Sequence, residues 1–144
     1  MTDRISAFFA DRGLPPYAPP PDTVSNSRTA LRLGELAREL GLHDAFHDRV
    51  MDAYWAEGLD IGDADVLRRV SAGVGLREEE VGAVIGSERY LDVVRSSTAQ
   101  AMSVGVTGVP GFLLEGRLLV LGAQPDEVFE QAFARLESLE RVSE

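Results

Sequence analysis

The stretch Gly105-Val106-Thr107-Gly108-Val109-Pro110-Gly111-Phe112-Leu113-Leu114 is the most informative in the chain. It ends a helical pattern, turns through a Val-Pro bond and enters an apolar run that reads as a strand. A second strand over 117–121 follows across Glu115-Gly116, and Gly122-Ala123-Gln124-Pro125 opens a closing helix. Proline at the head of a strand removes a ladder donor, so its presence there needs a reason. Two readings are open: a trans proline that ends a turn, or a cis X-Pro bond that shapes a binding loop.

Upstream, the periodicity predicts helices. Residues 3–12 place Ile5, Phe8 and Phe9 on one face, and Gly13 stops them. From Leu14 to Pro21 come five of the seven prolines, an extended connector. Capping candidates between Asp22 and Ser27 precede a helix with Leu31, Leu33, Leu36, Ala37 and Leu40 as its apolar set and Gly41 as its stop. The next begins at His43 or Asp44, carries Phe46, Val50, Ala53 and Tyr54, and closes at Gly58. Asp63 is the expected N-cap of a helix over 65–72. A short helix follows over 77–85, and Ser87 is expected to cap a longer one to about Met102, with Tyr90, Leu91, Val94, Ala101 and Met102 as its apolar members. Pro125 at the first helical position, with Asp126 and Glu127 behind it, is a strong start signal for the last helix. Its expected stripe is Val128, Phe129, Ala132, Phe133, Leu136 and Leu139.

Three segments result: residues 1–24 as an N-terminal segment and Pro-rich connector, 25–103 as a helical part, and 104–144 as a ββα part. Two short strands are marginal alone in water and need more strands or a covering helix. Either the hairpin packs on the chain's own helices, or another chain completes the sheet through an edge such as 112–114 or 118–121.

Composition narrows the function classes. The chain has 144 residues, 44% hydrophobic and 26% charged, ordinary for one globular domain. Its net charge is −10, and the acidic excess lies after residue 40. A surface of that sign repels phosphate backbones and argues against nucleic acid as partner. No apolar run approaches the ~20 residues of a membrane span. Met1-Thr2-Asp3-Arg4 leads into a short mixed segment rather than a secretory signal, so the expected location is cytoplasmic. All 14 basic residues are arginine, and the cysteine count is zero. Disulfides, thiolate metal sites and Cys nucleophiles are thereby excluded, and thiol–disulfide exchange needs an attacking thiolate.

Gly105 to Pro110, the short hairpin, Gly122-Ala123-Gln124 and the closing helix together resemble the C-terminal half of DsbA-type thioredoxin-fold proteins. The subgroup is that of the FrnE-like oxidoreductases, the 2-hydroxychromene-2-carboxylate isomerases and the kappa-class glutathione transferases. The resemblance continues through Asn26-Ser27-Arg28, Ala53-Tyr54-Trp55-Ala56-Glu57-Gly58 and Asp60-Ile61-Gly62-Asp63, and covers roughly residues 13–140. It implies an α/β, thioredoxin-like fold dominated by a helical insertion, followed by a β-hairpin and a helix, with the Val-Pro bond cis beside an active site. The family's first strand, its catalytic Cys-x-x-Cys or Ser and its first helix have no counterpart in this sequence, so no catalytic residue is assigned. The resemblance further implies a substrate-binding role for Thr107, Gly108, Val109 and Pro110. The Val109 backbone would pair with an extended ligand, glutathione or a peptide, by strand addition. Gln124 corresponds to the element facing the glutathione or substrate side, and Asn26 to a residue near the substrate pocket.

Each position also has a plain structural reading. Gln124 precedes a helix whose positive end Asp126 and Glu127 already occupy, so an ordinary cap is expected. Asn26 suits N-capping. His43 and His47, four apart, share a helical face but lack the Glu base and third ligand of a zinc-protease motif, and no metal site is expected. Glu78-Glu79-Glu80 reads as a solvated first helical turn. Asp60 to Asp65 lacks the spacing of a calcium loop. Tyr54 and Trp55 read as core or interface aromatics.

Three functional expectations follow. The first is a truncated or degenerate DsbA-like protein with no intrinsic thiol–disulfide activity and no bound cofactor, glutathione being a ligand by resemblance only. The second is one portion of a longer oxidoreductase or glutathione-dependent isomerase whose nucleophile lies upstream. The third is a binding or assembly module that self-associates as a C2 dimer or pairs with a partner chain completing the sheet.

Overall fold

A computed structural model describes residues 2–14, 17 and 24–141. The chain divides into two compact units, one up to Arg95 and one from Ser96 onward, and the boundary falls inside a helix. The first unit holds α1 (Thr2–Asp11), α2 (Arg28–Glu39), α3 (His43–Trp55), α4 (Ala64–Gly73), α5 (Glu78–Ile85) and the start of α6 (Leu91–Ser103). The second holds the end of α6, β1 (Gly111–Leu114), β2 (Leu118–Leu121) and α7 (Asp126–Arg141). The Pro-rich connector expected over 14–21 lies, apart from Leu14 and Tyr17, outside the described residues.

In the first unit, α2 packs on α3 and α5, and α4 on α3 and α5. Leu33 and Leu36 of α2, Leu67 and Val70 of α4 and Val81 and Val84 of α5 are its largest fully buried apolar side chains. Phe46, Val50 and Ala53 add the inner face of α3. Each such aliphatic contributes about 1.5–3 kcal/mol by leaving water, and that burial holds the short helices in place. Asp63 caps α4, its carboxylate accepting the Asp65 and Val66 N–H groups at 2.8 and 2.9 Å.

Arg32 departs from the apolar periodicity. It is only 6% exposed, while the expected core residue Leu31 is 53% exposed. The Arg32 Nε donates to the Arg89 carbonyl at 2.8 Å, and its guanidinium also donates to the Val84 and Ser87 carbonyls. The C-terminal end of α5 thus takes its missing donors from a side chain of α2. The face of α2 is accordingly rotated from the expected one, with Ala30, Leu33, Leu36 and Ala37 inward and Leu40 exposed.

Helix α6 begins at Leu91, later than Ser87 alone suggests. The Ser87 hydroxyl donates to the Ala83 carbonyl at 2.6 Å and accepts the Arg89 N–H at 3.1 Å, so it closes a turn. Tyr90 follows with a φ of 65°, a left-handed conformation that keeps residues 88–90 out of the helix. The Tyr90 hydroxyl donates to Glu39 and accepts a bond from Arg89. Burial first, and then the Glu39 bond, pushes the phenol above its ordinary value.

The second unit is a two-stranded antiparallel sheet carrying one helix. Phe112 pairs with Val120, Leu113 with Leu119 and Leu114 with Leu118. The hairpin turns at Glu115 (φ 50°) and Gly116 (φ 64°), a primed-type turn matched to strand twist. Helix α7 covers the Val120 side, where Ala132 and Leu136 are buried and Phe112 meets Phe129 edge-on at 5.1 Å. Phe133, expected within that stripe, is 52% exposed. Among the described residues no helix is long and apolar enough to cross a membrane.

Candidate functional site

The loop between α6 and β1 is built by a helix stop and a strand start. After α6, the Gly105 N–H donates to Met102 and the Val106 N–H to Ala101, at 3.0 Å each. These two bonds form a Schellman cap, and Gly105 takes the left-handed position it requires (φ 93°). Val106 then turns inward, since a Cβ on Gly111 would lie 3.3 Å from the Val106 side chain. Thr107, Gly108, Val109 and Pro110 are exposed beyond that anchor.

The Val109–Pro110 peptide bond is cis. Val109 is 93% exposed, and among the described residues its N–H and C=O have no hydrogen-bond partner. Its neighbour is held firmly: the Pro110 carbonyl accepts the Gly122 N–H at 2.7 Å. That bond brings the Val-Pro loop against the Gly122-Ala123-Gln124 segment. There the Gln124 amide donates to the Leu121 carbonyl at 2.7 Å and secures the end of β2. Gln124 therefore acts first as a brace for the loop.

The ladder phase extends this site. Bonded pairs in an antiparallel sheet recur every second residue. From the Pro110–Gly122 bond they fall at Phe112–Val120 and Leu114–Leu118. The N–H and C=O groups of Gly111 and Leu113 hence point to the free edge of β1. Val109 leads into an edge that offers main-chain donors and acceptors to an extended ligand.

Asn26 belongs to the first unit. Its side-chain oxygen accepts the Arg28 N–H at 3.1 Å and so satisfies one of the orphan donors at the start of α2. Its backbone packs on Gly62, where a Cβ would sit 3.0 Å from the Asn26 nitrogen. The two segments singled out at Asn26 and at Asp60 to Asp63 thus meet in space, in a contact tight enough that a side chain at Gly62 would press on the Asn26 backbone. Asp60 accepts the Gly62 N–H at 2.8 Å, and the Ser25 hydroxyl, with that N–H, holds its carboxyl below the ordinary value.

His43 and His47 stack with ring centroids 6.0 Å apart and planes at 16°. Arg38 donates to the His43 Nε2 at 2.9 Å, which assigns the proton to Nδ1, beside Asp44 at 3.2 Å. Both ring nitrogens of His43 are engaged. Among the described residues no three His, Asp or Glu side chains converge to hold a metal ion.

A crystal structure of a probable DsbA oxidoreductase from Streptomyces coelicolor is similar to this chain. The TM-score is 0.81 at 35% sequence identity, over 93% of this chain and 58% of that one. The uncharacterized protein YwbO of Bacillus subtilis (strain 168) is 30% identical over 99 residues, which are 68% of this chain and 49% of that protein. The chain spans about half the length of these relatives. Over residues 1–134 it matches the DSBA-like thioredoxin domain, and it belongs to that family.

Proposed function

We propose that this chain is a DsbA-like protein that binds an extended peptide or glutathione along Val109 and performs no thiol–disulfide exchange with its own side chains. The observation that carries the reading is the Val109 backbone, exposed and, among the described residues, without a partner beside a braced Pro110. Thr107, Gly108 and Gln124 border that ligand; Asn26, in the helical unit, is proposed by itself as a substrate-binding residue. With no cysteine in the sequence, no residue can supply the attacking thiolate.

The purified chain, assayed for dithiothreitol-driven reduction of insulin and for reoxidation of reduced ribonuclease, should give the rate of the buffer control. A rate several-fold above control in either assay would sink the inactivity half of the proposal.

A second reading has its own support, because the relatives are about twice as long as the matched region. In it, these 144 residues work with a segment that carries the nucleophile, as part of an oxidoreductase or a glutathione-dependent isomerase. The free edge of β1, next to Val109, is where a strand of such a segment, or of a second copy, would complete the sheet. The intact mass of the protein from its native cells separates the readings: 15.6 kDa supports the first, and a species heavier by several kilodaltons the second.

A further inference from the structure

We propose a second binding site on the opposite edge of the hairpin: the free edge of β2, which takes an extended peptide carrying one carboxylate side chain. By the ladder phase set at Pro110 and Gly122, the N–H and C=O groups of Leu119 and Leu121 point away from β1. The Leu121 carbonyl is taken by Gln124. Among the described residues the Leu119 N–H and C=O and the Leu121 N–H have no partner. Unpaired groups in this register are a template for another strand.

A groove runs along this edge. All four residues of β2 line one wall, and Gln131, Ala134, Arg135 and Ser138 line the other. Four consecutive strand residues, whose side chains alternate between faces, share one groove only if it opens onto the backbone edge. The α7 residues are spaced by three, four and seven, so they form one helical stripe beside that edge. An added strand bonded to Leu119 and Leu121 would turn the side chains opposite Leu118 and Val120 toward this stripe.

Arg135 gives the site its chemical preference. Its backbone carbonyl accepts the Ser138 hydroxyl at 2.7 Å, while its guanidinium has no ion pair or hydrogen bond among the described residues. A carboxylate two residues along from a small side chain can reach that fork. The net charge of −10 disfavours a polyacidic partner, so a single carboxylate in an otherwise neutral segment fits best. The site lies on the opposite strand edge from the Val109 loop, shares only Gln124 with it, and does not depend on the reading given to that loop.

The test uses the full chain and the peptide acetyl-Thr-Val-Asp-Val-Thr-amide, followed by amide-resolved NMR. The Leu119 and Leu121 amides should shift saturably, and those of Gly111 and Leu113 should not. Two N-methylated peptides, blocked at alternate sets of amides, should differ: one set abolishes the shifts and the other leaves them. Arg135→Gln should weaken binding by about 2- to 5-fold, a difference that salt removes. Equal binding by both methylated peptides overturns the proposal, as do shifts confined to Val109 and β1, or none at millimolar peptide. Concentration-dependent shifts of Leu119 without peptide would assign the edge to a second copy and overturn it too.

Discussion

Replacing Arg32 by methionine should cost the helical unit about 2–4 kcal/mol, and the reasoning separates three carbonyls. Val84 is fully buried, so its carbonyl, once Arg32 is gone, cannot regain water. It keeps only the long 3.4 Å bond from the Ser87 N–H, and a buried acceptor left so poorly satisfied costs about 1–3 kcal/mol. Ser87 and Arg89 lie in an exposed turn, where water can replace the lost donors. Each of those bonds is then worth only its net value, about 0.5–1.5 kcal/mol. Against these losses, methionine relieves the unit of a charge held away from water, and it fills much of the same volume. Arg32→Lys keeps the charge but not the fork, and should fall between the parent and Arg32→Met. Urea unfolding followed by far-UV circular dichroism reads the difference. At a denaturant slope near ~2 kcal/mol per molar, the midpoint should drop by about 1–2 M. A midpoint within about 0.3 M of the parent, at unchanged slope, would refute the argument: desolvation of the guanidinium would then cancel the bonds it makes.

Other outcomes follow from single sites. The Ser71 hydroxyl is fully buried and has no partner among the described residues, so Ser71→Ala should be neutral or stabilise by up to about 1 kcal/mol in the same urea experiment. A loss above that would mean the hydroxyl has a partner. Gly105→Ala places a side chain at φ 93° and should cost about 1–2 kcal/mol, with amide shifts spreading through 105–111. Unchanged stability would contradict the capping role. Asp63→Ala should cost about 1 kcal/mol, seen as a lower melting temperature. Asp60 titrates below its ordinary value of 3.8, so its contribution is present above that pH and is lost as pH falls through the lower folded value. Asp60→Asn should therefore flatten the acid limb of the stability profile, and identical limbs would count against it.

Local chemistry made much of the fold legible. Asp63 read as a cap because a short carboxylate before an apolar run satisfies orphan donors. Glu115-Gly116 read as a hairpin turn, and Pro125-Asp126-Glu127 as a helix start, for equally local reasons. Arg32 was not legible, because its burial depends on carbonyls more than fifty residues away in α5 and the following turn. Once those carbonyls claim Arg32, the face of α2 rotates, and Leu31 turns outward. The late start of α6 was hidden for a related reason: Tyr90 leaves the helical region in a turn where Glu39 and Arg89 hold its hydroxyl. At the candidate site, the sequence pointed to Thr107 through Pro110 and to Gln124. It did not show that Gln124 grips Leu121, or that Gly62 packs on Asn26. Both depend on close approach between segments that no periodicity reports.

The most direct test of the central claim is an amide-resolved NMR titration of the chain with oxidised glutathione and with a short extended peptide. The account predicts saturable shifts centred on Val109, reaching Thr107, Gly108 and Gly111, with no change in the ligand's disulfide. Shifts absent from residues 107–111 at millimolar ligand would contradict it.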